Sequence, residues 1–152
     1  MTENKYIAIA GSAKTSEEAI ALSGNTLYKA GLVDRNFAHN CIIREREYPT
    51  GLPCEIPVAI PHCKDEKVVS NSICFLRLSH TVSFRRMDDE REELYTDMIF
   101  NIAIRDAEQH IGFLRNLMRA LANRQFLSMC RSLAIQEIPA YLEKIIEAAG
   151  EN

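Results

Sequence analysis

Apolar positions along this chain recur at two spacings, and the alternation between them predicts the order of elements. Residues 15–30, TSEEAIALSGNTLYKA, open on a Thr/Ser cap with two acids in the first turn and are followed by Gly31 as a stop, which predicts a helix. A second helix is predicted over 34–47, with Asp34 as its cap and Phe37, Cys41 and Ile42 on one face. The stretch YPTGLPCEIP then places three prolines and a glycine in ten residues and breaks helix and strand alike. Val58, Ala59 and Ile60 form a short apolar run that reads as a buried strand, ended by Pro61 because proline has no N–H to give a ladder. Residues 68–79 and 95–106 are rich in β-branched and aromatic residues and predict two buried strands, with a short extra strand at VSF and a solvated loop at RRMDDEREE. From Ala107, apolar residues Ile111, Leu114, Met118 and Leu121 predict an amphipathic helix ending near Asn123, followed by helices near 124–133 and 135–148.

Strands in the middle with helices on either side predict the α/β (α+β) class: a central mixed β-sheet with helices on both faces, in a single domain. At 152 residues the chain is long enough to bury a core without disulfides or metals. Its 18 basic and 21 acidic side chains give a formal net charge of -3, which lacks the electrostatic footprint of a nucleic-acid binder. The five cysteines form no CxxC pair and lie in apolar runs, as expected of reduced thiols in a cytoplasmic protein. The apolar run in MTENKYIAIAGSAK is too short for a signal peptide, and no segment approaches a membrane span, so no direct membrane insertion is expected.

The candidate chemistry centres on VAIPHC. Ending the strand at Pro61 leaves His62 at its carboxyl end, where a neutral imidazole could act as nucleophile, base or ligand, or merely hydrogen-bond to the backbone. Upstream, Arg44 at a helix end and Thr50 and Gly51 in the loop could together bind an anion through a guanidinium fork, a hydroxyl and free N–H groups. Arg44 also stands beside Glu45, Arg46 and Glu47, where a solvated charge cluster is the alternative. His110 falls in the first turns of the helix after the last predicted strand and would approach His62 if that strand neighbours VAI. Cys54, His62, Cys63 and His110 are competent metal ligands, but their spacing matches no standard cluster, and no metal is expected. A Cys-His hydrolase using Cys63 or Cys54 has no supporting signature; His39 and His80 stand without partners.

Taken together, RE at 44–45, PTG at 49–51 and VAIPHC at 58–63 resemble the fructose/mannitol-type enzyme IIA domain of the bacterial sugar phosphotransferase system. The longer stretch EREYPTGLPCEIPVAIPHC looks most like the galactitol-specific branch of that family. The resemblance implies that His62 accepts a phosphoryl group on Nε2 from phospho-HPr and passes it to a cysteine of a sugar-specific IIB, which serves a membrane IIC. It implies an active-site role for Arg44 and, as the second histidine of mannitol-type members, for His110. No cofactor is implied. Where fructose-type members have a glycine-rich approach to the histidine, this chain has LPCEIP, which alters the setting of the expected phosphate donors Thr50 and Gly51. The resemblance also admits a nitrogen-type regulatory module, whose phosphorylation state controls other proteins.

Overall fold

The computed structural model describes residues 3–68, 70–106 and 110–149. In chain order the elements are β1 (Lys5–Gly11), α1 (Ser16–Lys29), α2 (Phe37–Glu47), β2 (Gly51–Leu52), β3 (Val58–Ala59), β4 (His62–Lys64), β5 (Ser72–Arg85), β6 (Glu93–Ile104), α3 (Ile111–Leu121), α4 (Arg124–Ser132) and α5 (Ile138–Ala149). A single 3-10 turn, Ile135–Glu137, leads into α5. The start of the helix predicted from Ala107, with Glu108 and Gln109, lies outside the described residues, as does Val69 of the predicted 68–79 strand.

The sheet runs in the order β1-β5-β6-β3-β2, with β4 also paired to β6. It is mixed: β5 and β6 are antiparallel, β1 is parallel to β5, and β3 and β4 are both parallel to β6. Because strand side chains alternate between faces, the apolar runs of β5 and β6 supply both sides of the sheet. Ile73, Phe75, Phe100 and Ile102 pack with Phe113, Phe126 and Leu142 from the three carboxyl-terminal helices. Cys74, Leu76, Ile99 and Ala103 face Ile20, Leu27, Phe37 and Cys41 of α1 and α2. Each such fully buried large side chain contributes roughly 1.5–3 kcal/mol relative to exposure, so both helical layers are held chiefly by these two strands. The expected mixed sheet with helices on both faces is therefore what the chain forms.

One polar residue interrupts this apolar pattern. Asn101 of β6 is fully buried and donates from Nδ2 to Ser23 Oγ at 3.0 Å, while Ser23 donates onward to the Ala19 carbonyl at 2.9 Å. A buried amide is tolerated only when hydrogen-bonded, and this pairing ties α1 to the centre of the sheet.

Local signals set several boundaries as expected. Thr15 accepts the Glu18 N–H at 3.1 Å, and Glu18 reaches back to the Lys14 N–H at 3.0 Å, closing a reciprocal cap on α1. Gly31 has φ 77°, the left-handed geometry that glycine accommodates most readily after a helix. Other boundaries differ. The α2 cap is Asn36, not Asp34; the Asp34 carbonyl accepts the Phe37 N–H, and its carboxylate instead pairs with Lys67 at 3.3 Å. β1 was not anticipated, since a run of alternating alanines and isoleucines lacks the bulk of a central strand. Strand β5 continues through the predicted break near residue 80, because a register irregularity between Arg77 and Val82 absorbs the polar stretch without ending the ladder.

Helices α1 and α2 approach closely at Gly24, where an added Cβ would stand 2.7 Å from Ala38 Cβ and 2.9 Å from its Cα. Gly24→Ala gains about 1 kcal/mol of helix propensity but forces two backbones apart, at about 1–3 kcal/mol. We expect a net loss of about 1 kcal/mol, measured by urea denaturation; unchanged or increased stability would show that the layers move apart freely.

Candidate functional site

The residue that places the site is Pro61. Strands β3 and β4 lie in line along the same neighbour, β6, with Ala59 opposite Ile99 and His62 opposite Ile102. The Pro61 carbonyl accepts the Ile102 N–H at 2.9 Å, so the ladder passes across the gap. The VAI strand stops before Pro61 as expected, but pairing to β6 resumes directly after it. The proline occupies the one interruption where a missing N–H is tolerated, and His62 opens a further short strand instead of lying past the last one. On the other side, the Ile60 N–H donates to the Thr50 carbonyl at 3.1 Å.

This backbone presents the imidazole in a defined way. His62 Nδ1 lies 2.7 Å from the Ile60 carbonyl oxygen. A carbonyl can only accept, so Nδ1 carries the proton and Nε2 keeps its lone pair. Burial of the ring holds the His62 pKa below its ordinary 6.5, against the opposing pull of the Ile60 bond, and the nearby Arg44 charge depresses it further. At neutral pH the ring is therefore an uncharged nucleophile with Nε2 available.

Two adjoining clefts meet at His62 and Arg44. One, of about 500 Å³, is also lined by Tyr48, Thr50, Met87 and Asp88; the other, of about 410 Å³, by Cys63, Lys64, Asp106 and Leu114. Arg44 comes from the last turn of α2 and lies 5.2 Å from the centre of the Tyr48 ring. Among the described ion pairs it has no carboxylate partner, although the adjacent Arg46 pairs with Glu17 at 3.0 Å. Of the cluster at 44–47, Arg44 is thus the cation that faces the histidine.

The loop between α2 and β3 is tied down from inside. Glu45, 8% exposed, accepts the Thr50 N–H at 2.8 Å and the Thr50 hydroxyl at 2.7 Å. Burial raises its pKa to about 7, with the two Thr50 bonds and the charges of Arg85 and Arg44 opposing that rise. Arg85 donates to the carbonyls of Glu45 and Arg46, satisfying the end of α2. Gly51 bridges to Arg86, its carbonyl accepts the Met87 N–H at 2.7 Å, and an added Cβ would lie 2.6 Å from the Arg85 oxygen. Thr50 lines the cleft, but its N–H and hydroxyl are already given to Glu45, and Gly51 is required by close backbone approach. In this arrangement both shape the loop, which differs from the direct phosphate donors expected of them.

Three contributors escaped the sequence reading. Glu45 and Arg85 were hidden because their partners are the loop and a helix end. The charge run was read as a solvated loop, yet Met87, Asp88 and Glu90 line the larger cleft, while Arg86 with Asp88 and Arg91 with Asp89 pair locally. Its anchoring to Gly51 was not visible in the charge pattern.

Other candidates fall elsewhere. The predicted adjacency of VAI to the last strand is present, but His110, at the amino end of α3, has its Nδ1 3.0 Å from Asn71 Nδ2 and lines neither cleft; Leu114, one turn on, does. Cys63 turns inward, its sulfur 3.5 Å from that of Cys41, whose thiol burial pushes up strongly. Burial also raises the pKa of the half-buried Cys54, which leaves it a poor thiolate nucleophile. Among the described residues no three His, Cys, Asp or Glu gather as a metal site, and His39 and His80 are exposed.

A half-buried histidine whose Nε2 is free of the Ile60 bond thus shares its clefts with an arginine that has no carboxylate partner among the described ion pairs, an arrangement with the chemistry to receive an anion. A family model described as the phosphoenolpyruvate-dependent sugar phosphotransferase system, EIIA 2, matches residues 1–147, and the chain belongs to that family. It is 26% identical over 135 residues to the galactitol-specific EIIA component of Escherichia coli K12, covering 88% of this chain and 89% of that protein. The fold matches the E. coli complex of enzyme IIA-mannitol with phosphorylated enzyme IIB-mannitol at TM-score 0.72, with 23% identity, covering 95% of this chain and 94% of that one. It also matches nitrogen regulatory protein IIA-Ntr of Neisseria meningitidis at TM-score 0.72, with 21% identity over 90% of this chain and 92% of that one. The chain is accordingly a phosphotransfer component of a sugar phosphotransferase system.

The buried ring carries a pH signature. His62 should titrate below 6.5 by NMR, and Arg44→Gln should move the midpoint upward only part of the way, since burial is the larger cause. The unfolded chain, with an ordinary histidine, takes up the proton first, so this group removes stability as pH falls below about 6.5. A midpoint at or above 6.5 would show that the Ile60 bond outweighs burial and the Arg44 charge in setting the ring's protonation.

Proposed function

We propose that this chain is a phosphocarrier that accepts a phosphoryl group from phospho-HPr on His62 and delivers it to a cysteine of a sugar-specific IIB. The observation that carries the reading is the uncharged His62 Nε2, opposite an engaged Nδ1, in an open cleft shared with Arg44. In the first step the Nε2 lone pair attacks phosphorus in line as the bond from phosphorus to the donor's imidazole nitrogen breaks, and the donor leaves with that electron pair. In the second, a cysteine thiolate of IIB attacks the same phosphorus and the His62 nitrogen leaves, regenerating the starting ring. Such transfer depends on alignment and on charge around the equatorial oxygens, with little covalent apparatus.

Arg44 supplies that charge, and Tyr48 beneath it limits where the guanidinium can move. The family resemblance assigns His110 a supporting role, although in this structure it is held by Asn71 at the amino end of α3 and lines neither cleft. Thr50 and Gly51 hold the loop that faces the phosphate. The similarity to a galactitol-specific component favours a galactitol-type IIB partner, and through it a membrane IIC, over a regulatory role. Among the described residues no helix is long and apolar enough to cross a membrane. The cytoplasmic site of action we assign rests on the family.

Incubation with Enzyme I, HPr and phosphoenolpyruvate should label wild-type protein with an acid-labile phosphate. His62→Ala should abolish that label; normal labelling of the variant would overturn the assignment. Arg44→Ala should still fold and slow transfer to IIB by about 100-fold, the scale expected for losing one transition-state cation or donor. Wild-type transfer rates would remove Arg44 from the mechanism.

A further inference from the structure

We propose that Glu45 is a positioning residue for His62, acting through the backbone that fixes the ring's tautomer. The connection can be followed bond by bond. The Glu45 carboxylate takes the N–H and hydroxyl of Thr50 at 2.8 and 2.7 Å. The Thr50 carbonyl takes the Ile60 N–H at 3.1 Å, and the Ile60 carbonyl takes the His62 Nδ1–H at 2.7 Å. The last turn of α2, the residue before β2, the residue after β3 and the first residue of β4 are thereby joined into one hydrogen-bonded line from a buried carboxylate to the imidazole.

The Ile60 carbonyl is held from two directions. On one side the Ile60 N–H is anchored to Thr50; on the other, Pro61 is anchored by its carbonyl to Ile102 of β6. The second anchor belongs to the sheet and is rigid. The first belongs to Thr50, in a proline-rich loop just before the two-residue strand β2, and its side chain and N–H are held by Glu45. Without Glu45, Thr50 keeps neither of its side-chain-mediated restraints, the carbonyl that orients the ring gains freedom, and the Nε2–H form, which has no lone pair to attack with, becomes accessible.

The charge on Glu45 is not what the line requires. A protonated carboxyl, or a glutamine, can accept the Thr50 N–H with its carbonyl oxygen and donate to the Thr50 hydroxyl with the other group, reversing one bond and keeping both. Burial raises the Glu45 pKa to about 7, yet either protonation state can hold Thr50. This separates positioning from an electrostatic role, and it distinguishes Glu45 from Arg44.

The inference rests on His62 as the phosphoryl acceptor, but its primary test needs no phosphoryl donor. Imidazole nitrogen chemical shifts of His62 in the intact protein report its tautomer, and melting curves report the fold. In folded Glu45→Ala, a rise in the Nε2–H form together with an initial phosphorylation rate about tenfold lower is expected, on the scale of a small misplacement of a reacting group. Glu45→Gln should restore both readouts to near wild type. If Glu45→Ala does not fold, Thr50→Val, which removes only the hydroxyl bond, should show the same changes at a few-fold level. A folded Glu45→Ala or Thr50→Val protein with wild-type His62 shifts and rate would overturn the proposal. So would a Glu45→Gln protein as impaired as Glu45→Ala. Retention of label in His62→Ala with altered His62 shifts in Glu45→Ala would instead fault the acceptor assignment and leave the positioning intact.

Discussion

Everything at this site depends on β6 being hydrogen-bonded along both edges. On one edge it pairs with the long strand β5; on the other it receives, in line, the two short strands that flank Pro61. A two-residue strand and a three-residue strand have too little ladder of their own to be stable alone. They are ordered because β6 lies between two apolar layers and offers them a fixed row of donors and acceptors. The histidine inherits its position from that row, which is why the first residue of so short a strand can be held well enough for chemistry.

The electrostatic arrangement follows a similar economy. The chain is slightly acidic overall, and the stretch around Arg44 alternates in sign, so a free cation is not expected there. It arises because three neighbours are engaged elsewhere: Arg46 with Glu17, Glu45 with Thr50, and Arg85 with the end of α2. Placing the aromatic face of Tyr48 beneath Arg44 orients the guanidinium without neutralising it. An anion entering the cleft meets a guanidinium that, among the described residues, makes no ion pair within contact distance of a carboxylate.

The elements dense in local signal were legible from the amino acids alone. The capped helix ending at Gly31, the two buried strands and the amphipathic carboxyl-terminal helices each declare themselves within a dozen residues. His62 and Arg44 could be nominated because proline, histidine and a basic helix end have recognisable chemistry. Contacts across long sequence separations were not legible. Nothing near Glu45 reveals that its carboxylate is buried, nothing in RRMDDEREE shows that Met87 will line the histidine's cleft, and Thr50 looks like a free donor until Glu45 is placed beside it. The resumption of pairing past Pro61 was hidden for a related reason: local rules correctly place the break and the missing N–H, but only the neighbouring strand shows that the Pro61 carbonyl still has a partner.

The bond between Ile60 and the imidazole has a consequence for the whole catalytic cycle under the proposed function. It uses the nitrogen that is not modified, so it can persist while the other nitrogen is empty, under attack or occupied. The ring need not turn over between loading and unloading, and the cleft it faces is the same in both directions. A carrier arranged in this way runs backwards as readily as forwards, with the direction of flow left to the relative phosphorylation of the two proteins it meets.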